Sequence, residues 1–199
     1  MSPLANIFLP FVREVYATDE YIPLHAPKFS GNEKAYLSET IDSTYVSTVG
    51  EFVNRFEGAV ESYTGSAHAI ATVSGTSALH TALQLVGVQP GEEVLTQSLT
   101  FVATCNAIRY VGAEPVFIDV ERATLGMSPD SLKSFLEQHA EQRDDGACWN
   151  KMSNRIIRAC LPVHDLGHPV RIRDVSKLCQ QYGIELVEDS AESLGSCYD

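Results

Sequence analysis

Three short junctions carry residues whose types and spacing suit ligand chemistry: Val73-Ser74-Gly75-Thr76-Ser77, Ser98-Leu99-Thr100-Phe101 and Asp189-Ser190-Ala191-Glu192. The first leads from an apolar run into a helical pattern beginning near Ala78. A small-residue turn at a helix N-terminus leaves backbone N–H groups free and adds hydroxyls, which suits a phosphate; Ser and Thr serve there equally as plain N-caps. The second junction sets Phe101 at the start of another helical pattern, where its ring can stack on a flat ligand or pack in the core. Around the third, Glu185 to Asp199 holds five acidic residues and no Lys or Arg, so Asp189 has no local cation. A buried carboxylate of that kind is costly and a cationic ligand group relieves it; the alternative is an Asp that caps a turn in contact with water. Phosphate donors, a stacking aromatic and a carboxylate together describe a site for a phosphorylated pyridine, pyridoxal phosphate.

The elements that would position these junctions alternate. Apolar residues three and four apart mark helices through Phe52, Val53, Phe56 and Val60, through Leu79, Ala82, Leu83 and Val86, and through Ile172, Val175, Cys179 and Tyr182. Ser128-Pro129 reads as an N-cap and first-turn proline before Leu132, Phe135 and Leu136. Short apolar runs at 69–73, 93–97, 115–120, 156–163 and 184–189 read as strands. Strands apolar on both faces and alternating with helices predict an α/β fold, a mostly parallel sheet covered on each side. Ligands bind at the carboxyl ends of such strands, so all three junctions are expected at one edge of the sheet. Residues 1–65 read as an N-terminal arm with helices near 33–43 and 51–63, and the polar stretch 141–154 as a surface loop or irregular insertion.

Composition excludes several classes. A chain of 199 residues with 14 Lys and Arg against 26 Asp and Glu has a net charge of -12, a field that repels nucleic acid and anionic lipid. No apolar run approaches the roughly 20 residues that span a bilayer, and the N-terminus lacks secretory-signal features, which predicts a cytoplasmic protein. Five widely spaced cysteines without a C-x-x-C give neither a zinc ribbon nor a disulfide framework. Cys160, His164 and His168 recur every fourth residue, but Pro162, Gly167 and Pro169 forbid the helix that would align them, so no metal is expected. A nicotinamide dehydrogenase using Asp119 lacks the glycine fingerprint.

The ordered blocks IPLHAPKFSGNEKAYL, FVNRFEGAVESYTG, TVSGTSALHTALQLVGV, LTFVATCNAI, GAEPVFIDVE, TLGMSPDSL, GHPVRI and VEDSAESLGS resemble the DegT/DnrJ/EryC1/StrS sugar aminotransferases, within the fold-type-I PLP enzymes, and look closest to the LegC-like subgroup. The resemblance implies a three-layer sandwich, the PLP-binding large domain, over residues 66–199 and incomplete, preceded by the helical arm, with the small C-terminal domain absent. By position, Gly75 and Thr76 match the phosphate-binding turn, Phe101 the aromatic on the cofactor ring, and Asp189 the carboxylate that keeps the pyridine nitrogen protonated. Glu192 falls where many relatives carry Gln or His near the phenolic oxygen, and Ser98 replaces an expected Pro.

The implied activity moves an amino group from an amino acid, glutamate by family expectation, to C4 of a nucleotide-linked 4-keto-6-deoxy sugar, in cell-surface polysaccharide or nonulosonic acid synthesis, in a homodimer. In the family the Schiff-base lysine follows the aspartate strand. Lys28, Lys34, Lys133, Lys151 and Lys177 all precede Asp189, so the chain alone is expected to be inactive. The alternative is a non-catalytic module that binds a nucleotide-sugar or pairs with a full-length relative.

Overall fold

The computed structural model describes residues 2–23 and 26–198 and divides into two compact units, Met1–Arg55 and Phe56–Asp199. In the first, helix α1 spans Pro3–Tyr16, α2 spans Glu33–Ser43, and α3, Glu51–Thr64, runs on across the boundary. The sequence pattern predicts α2 and α3; α1 is additional. Pro10 lies inside α1, a residue that argues against a helix interior when only the pattern is read. The Tyr36 and Phe52 rings lie 5.1 Å apart, and the Arg55 guanidinium sits over both.

The second unit continues with α4 (Gly75–Leu85), β1 (Glu93–Gln97), α5 (Val102–Tyr110), β2 (Glu114–Ile118), α6 (Pro129–His139), β3 (Ala140–Gln142), β4 (Cys148–Asn150), β5 (Arg155–Cys160), α7 (Ile172–Tyr182) and β6 (Glu185–Leu186). Strands β2, β1, β5 and β6 are parallel in that order, and the antiparallel β3–β4 hairpin joins β5 beside its first residues. The strands are covered on both sides. Leu79 and Leu83 of α4 and Ala107 and Ile108 of α5 pack with Val94 and Ala159 on one face. Leu132 and Leu136 of α6 and Val175 and Cys179 of α7 pack with Leu95, Ile157 and Cys160 on the other. The β1–β5 register slips between Glu93 and Val94, so the alternation resets and Ile157 and Cys160 reach the same core.

The buried carboxylates at the start of β1 are compensated. Glu92 pairs with Arg158 at 2.7 Å, and Glu93 accepts from the Asn150 side chain at 2.8 Å. Asn150 thereby ties the hairpin to the sheet. Among the described residues, no helix is long and apolar enough to cross a membrane.

Three expectations need correction. Residues 69–73 form no strand: Ile70 is 80% and Val73 96% exposed. The amides of Ala69 and Ala71 donate to the carboxylates of Glu61 and Glu57 instead of to a sheet edge, because β-propensity yields a ladder only where a partner strand lies alongside. The stretch 141–154 is partly ordered as β3 and β4, since Trp149 pairs across to both Glu141 and Ile156. The strand expected at 184–189 shortens to β6 plus a single bridge between Val163 and Asp189.

Gly126 sits in a tight passage, because a Cβ there would collide with Val170 Cγ2 and lie 3.2 Å from the Val163 carbonyl. Gly126→Ala is expected to cost about 1–3 kcal/mol by overpacking, read as a lowered Tm in thermal unfolding; an unchanged Tm would show that Val170 moves aside freely.

Candidate active site

Parallel strands end on one side of a sheet, and here the ends of β1, β5 and β6 deliver Gln97, the segment Val163–Asp165 and Asp189. The Asp189 backbone is fixed first: its N–H donates to the Pro162 carbonyl at 3.0 Å and its carbonyl accepts from His164 N at 3.1 Å. The residue as a whole is buried, 7% exposed. Oδ2 accepts from Thr104 Oγ1 at 2.8 Å and Oδ1 from Ala191 N at 3.2 Å. The second bond is a turn cap, but it lies away from bulk water. No Lys or Arg side chain pairs with Asp189 among the described residues.

Glu192 turns back to accept from Leu166 N at 2.7 Å. Leu166 lies in the 3₁₀ turn Asp165–Gly167 with φ 54°, so Glu192 anchors a segment of left-handed backbone that L-residues rarely hold unaided. Asp165, at the head of that turn, is a third carboxylate here. Burial pushes its carboxyl above the ordinary range; the Gln97 amide opposes this, and the charges of Glu192 and Asp189 add to it. His164 is spent on structure. Its Nδ1 accepts from Val170 N at 3.0 Å, which leaves the ring proton on Nε2, 3.0 Å from Glu188 Oε2.

At the start of α5, Phe101 is the N-cap residue without a side-chain cap and is 75% exposed, so its ring is not core. At the start of α4, Ser74 Oγ accepts from Ser77 N at 3.2 Å. The N–H groups of Gly75 and Thr76 find no acceptor among the described residues, and the space beside Gly75 is open, with nothing within 4 Å of where a Cβ would lie. This is an open helix N-terminus, able to take an anion.

The structure thus links the N-terminus of α5, Asp189 and Glu192 through Thr104 and the Asp165 turn. Gly75 and Thr76 join this group only through the packing of α4 on α5; no hydrogen bond runs from them to Asp189 or Glu192. A cavity of about 400 Å³ lined by Tyr63, His164, Ile172, Glu188 and Tyr198 includes none of the five expected site residues. Sequence reading missed Gln97, Thr104 and Asp165. The strand-end rule could have flagged Asp165, two residues beyond Val163, whereas Thr104 sits inside a helix with no local sign of its role.

The DegT/DnrJ/EryC1/StrS aminotransferase family model matches residues 27–199. The chain belongs to this family. Aminotransferases of the DegT/DnrJ/EryC1/StrS family depend on pyridoxal phosphate. The chain is 39% identical over 177 residues to EpsN of Bacillus subtilis strain 168, provisionally named a pyridoxal phosphate-dependent aminotransferase, covering 89% of this chain and 43% of that protein. It is 33% identical over 177 residues to the GDP-perosamine synthase of Caulobacter vibrioides, with the same coverage. Among solved structures it is similar to DesI in the presence of its TDP-sugar product, with a TM-score of 0.74, 28% identity, and coverage of 92% of this chain and 42% of that one. The chain therefore spans less than half the length of the curated relatives it matches.

The raised Asp165 carboxyl carries a sign. An acid held above its ordinary range in the fold stabilises most below that range and loses the contribution as pH rises through it. Asp165→Asn is therefore expected to raise Tm at neutral pH and to leave it unchanged in acid, measured by thermal unfolding across pH; a variant destabilised equally at every pH would contradict this.

Proposed function

We propose that the protein to which these residues belong transfers an amino group from an amino-acid donor, glutamate, to C4 of a nucleotide-linked 4-keto-6-deoxy sugar, using pyridoxal phosphate. The observation that carries the cofactor site is Asp189: a nearly enclosed carboxylate at a strand end whose side-chain partners are an alcohol and an amide. Neutral donors satisfy its lone pairs and leave its charge, so the position favours a protonated ring nitrogen.

The other residues fit the rest of the cofactor. The free N–H groups of Gly75 and Thr76 offer donors to a phosphate at the positive end of α4. Phe101, exposed at the head of α5, offers a face for the ring. Glu192 is held by Leu166 N, and a carboxylate in that place must share or hold a proton to lie beside a phenolic oxygen. When bound, the cofactor supplies an electron sink for amino transfer; the role of Asp189 is to keep the ring nitrogen protonated. The nucleotide-sugar substrate is supported by relatives that include GDP-perosamine synthase and by the likeness to DesI with its TDP-sugar product. The narrower LegC-like placement rests on the sequence resemblance and on Glu192.

Pairing into a homodimer belongs to the same proposal. Ile70 and Val73 present apolar surface, and β6 has a strand neighbour on one side only among the described residues. Unpaired edges and exposed apolar patches favour association.

Two measurements test this. Fluorescence titration with pyridoxal phosphate should show saturable binding that Asp189→Asn weakens by about tenfold or more; equal affinity in the variant would remove the basis of the cofactor site. Light scattering should report dimers or larger species, and a strict monomer at high concentration would count against the pairing.

A further inference from the structure

Thr104 uses its hydroxyl differently from other helical threonines in this protein. Thr40 and Thr64 donate back to the carbonyl four residues earlier, Tyr36 and Val60, each at 2.7 Å, the ordinary local outlet for a Thr in a helix. Thr104, fully buried on α5, reaches instead across 85 residues of sequence to Asp189 Oδ2 at 2.8 Å, and its oxygen lies 2.7 Å from Thr100 Oγ1. An ionised carboxylate only accepts. The Thr104 proton therefore points at Asp189, and Thr104 in turn accepts from Thr100. This is a directed chain of hydroxyls, from Thr100 just before α5 to Thr104 in its first turn, that ends on the carboxylate.

The consequence is orientation. Oδ1 is held by Ala191 N at 3.2 Å, the longer of the two bonds and one made within the same turn. Without Thr104, nothing outside the 189–191 turn fixes the plane of the carboxylate among the described residues. Thr104 also stands three residues beyond Phe101, so the helix that presents the exposed ring is the helix that sets the carboxylate.

We propose that Thr104 is the positioning residue of the cofactor site, its hydroxyl locking the Asp189 carboxylate in the orientation that meets a protonated ring nitrogen. The inference rests on the assignment of Asp189 to that nitrogen.

The test binds pyridoxamine phosphate, labelled with nitrogen-15 in the ring, to the chain in mildly alkaline buffer. Affinity is read by titration, and ring protonation from the nitrogen resonance. Thr104→Ser and Thr104→Ala both lose the methyl group, and only the second loses the hydroxyl. The alanine variant should bind about tenfold more weakly, as expected for one charge-assisted hydrogen bond, with the resonance moved towards neutral pyridine, while the serine variant behaves as wild type in both readouts. Thr104→Val, which keeps the volume, replaces alanine if that variant does not fold. An alanine or valine variant that matches wild type, or a serine variant as impaired as alanine, overturns the proposal. Asp189→Asn separates the two levels: if it collapses both signals while Thr104→Ala does not, only the role of Thr104 falls. If Asp189→Asn also matches wild type, or the wild-type chain does not bind, the assignment of Asp189 falls and this proposal with it.

Discussion

The buried side chain of Gln97 holds the carboxyl end of the sheet together. It is fully enclosed at the end of β1, and all four of its hydrogen-bonding positions are used. Nε2 donates to the Leu99 carbonyl at 2.9 Å and to Asp165 Oδ2 at 2.5 Å, and Oε1 accepts from Met127 N at 2.8 Å and Val163 N at 3.2 Å. The two N–H donors fix which end of the amide is oxygen. One side chain thus ties β1, the turn after it, the approach to α6 and the exit of β5. Buried amides left without a partner cost about 1–3 kcal/mol each, so the segments are held to one arrangement.

From that node the candidate site is built outward by backbone. With Val163 fixed to Gln97, the next residue, His164, receives the Asp189 carbonyl, and Pro162 receives the Asp189 N–H. The side chains then divide the work. His164 braces Glu188 and Val170, Glu192 braces the Asp165 turn, and Thr104 reaches the Asp189 carboxylate. Three carboxylates gather within this end of the sheet, and the Asp165 carboxyl is pushed up, by burial first and by its neighbours' charges in addition. Among the described residues no Lys or Arg pairs with them, and such a concentration of negative charge is unfavourable for stability alone, which fits the proposal that a ligand brings the positive group.

The same side chains explain why neutral donors surround the carboxylates here while ion pairs serve elsewhere. Glu92 near the opposite end of β1 is matched by Arg158, and Glu121 by Arg171, which also reaches Asp130. Those pairs close charges within the protein. Asp189 and Asp165 meet a hydroxyl and amides, which satisfy geometry and leave the charge available.

The sequence by itself determined the layered α/β arrangement and the family. Apolar residues three and four apart in α4, α6 and α7, and doubly apolar strands such as β1 and β5, are local patterns that bury only one way. It also marked the junctions at which Gly75, Thr76, Phe101, Asp189 and Glu192 stand, because strand ends and helix starts are written in adjacent residues. Tertiary structure alone decided the rest. A β-prone run such as 69–73 becomes a strand only against a neighbour, and here its amides turn to Glu57 and Glu61. The hairpin within 141–154 depends on pairing with β5. Gln97 and Thr104 act through partners 66, 68 and 85 residues away, and a hydrogen bond over that separation leaves no periodicity in the chain, since it is made by the fold that brings its ends together.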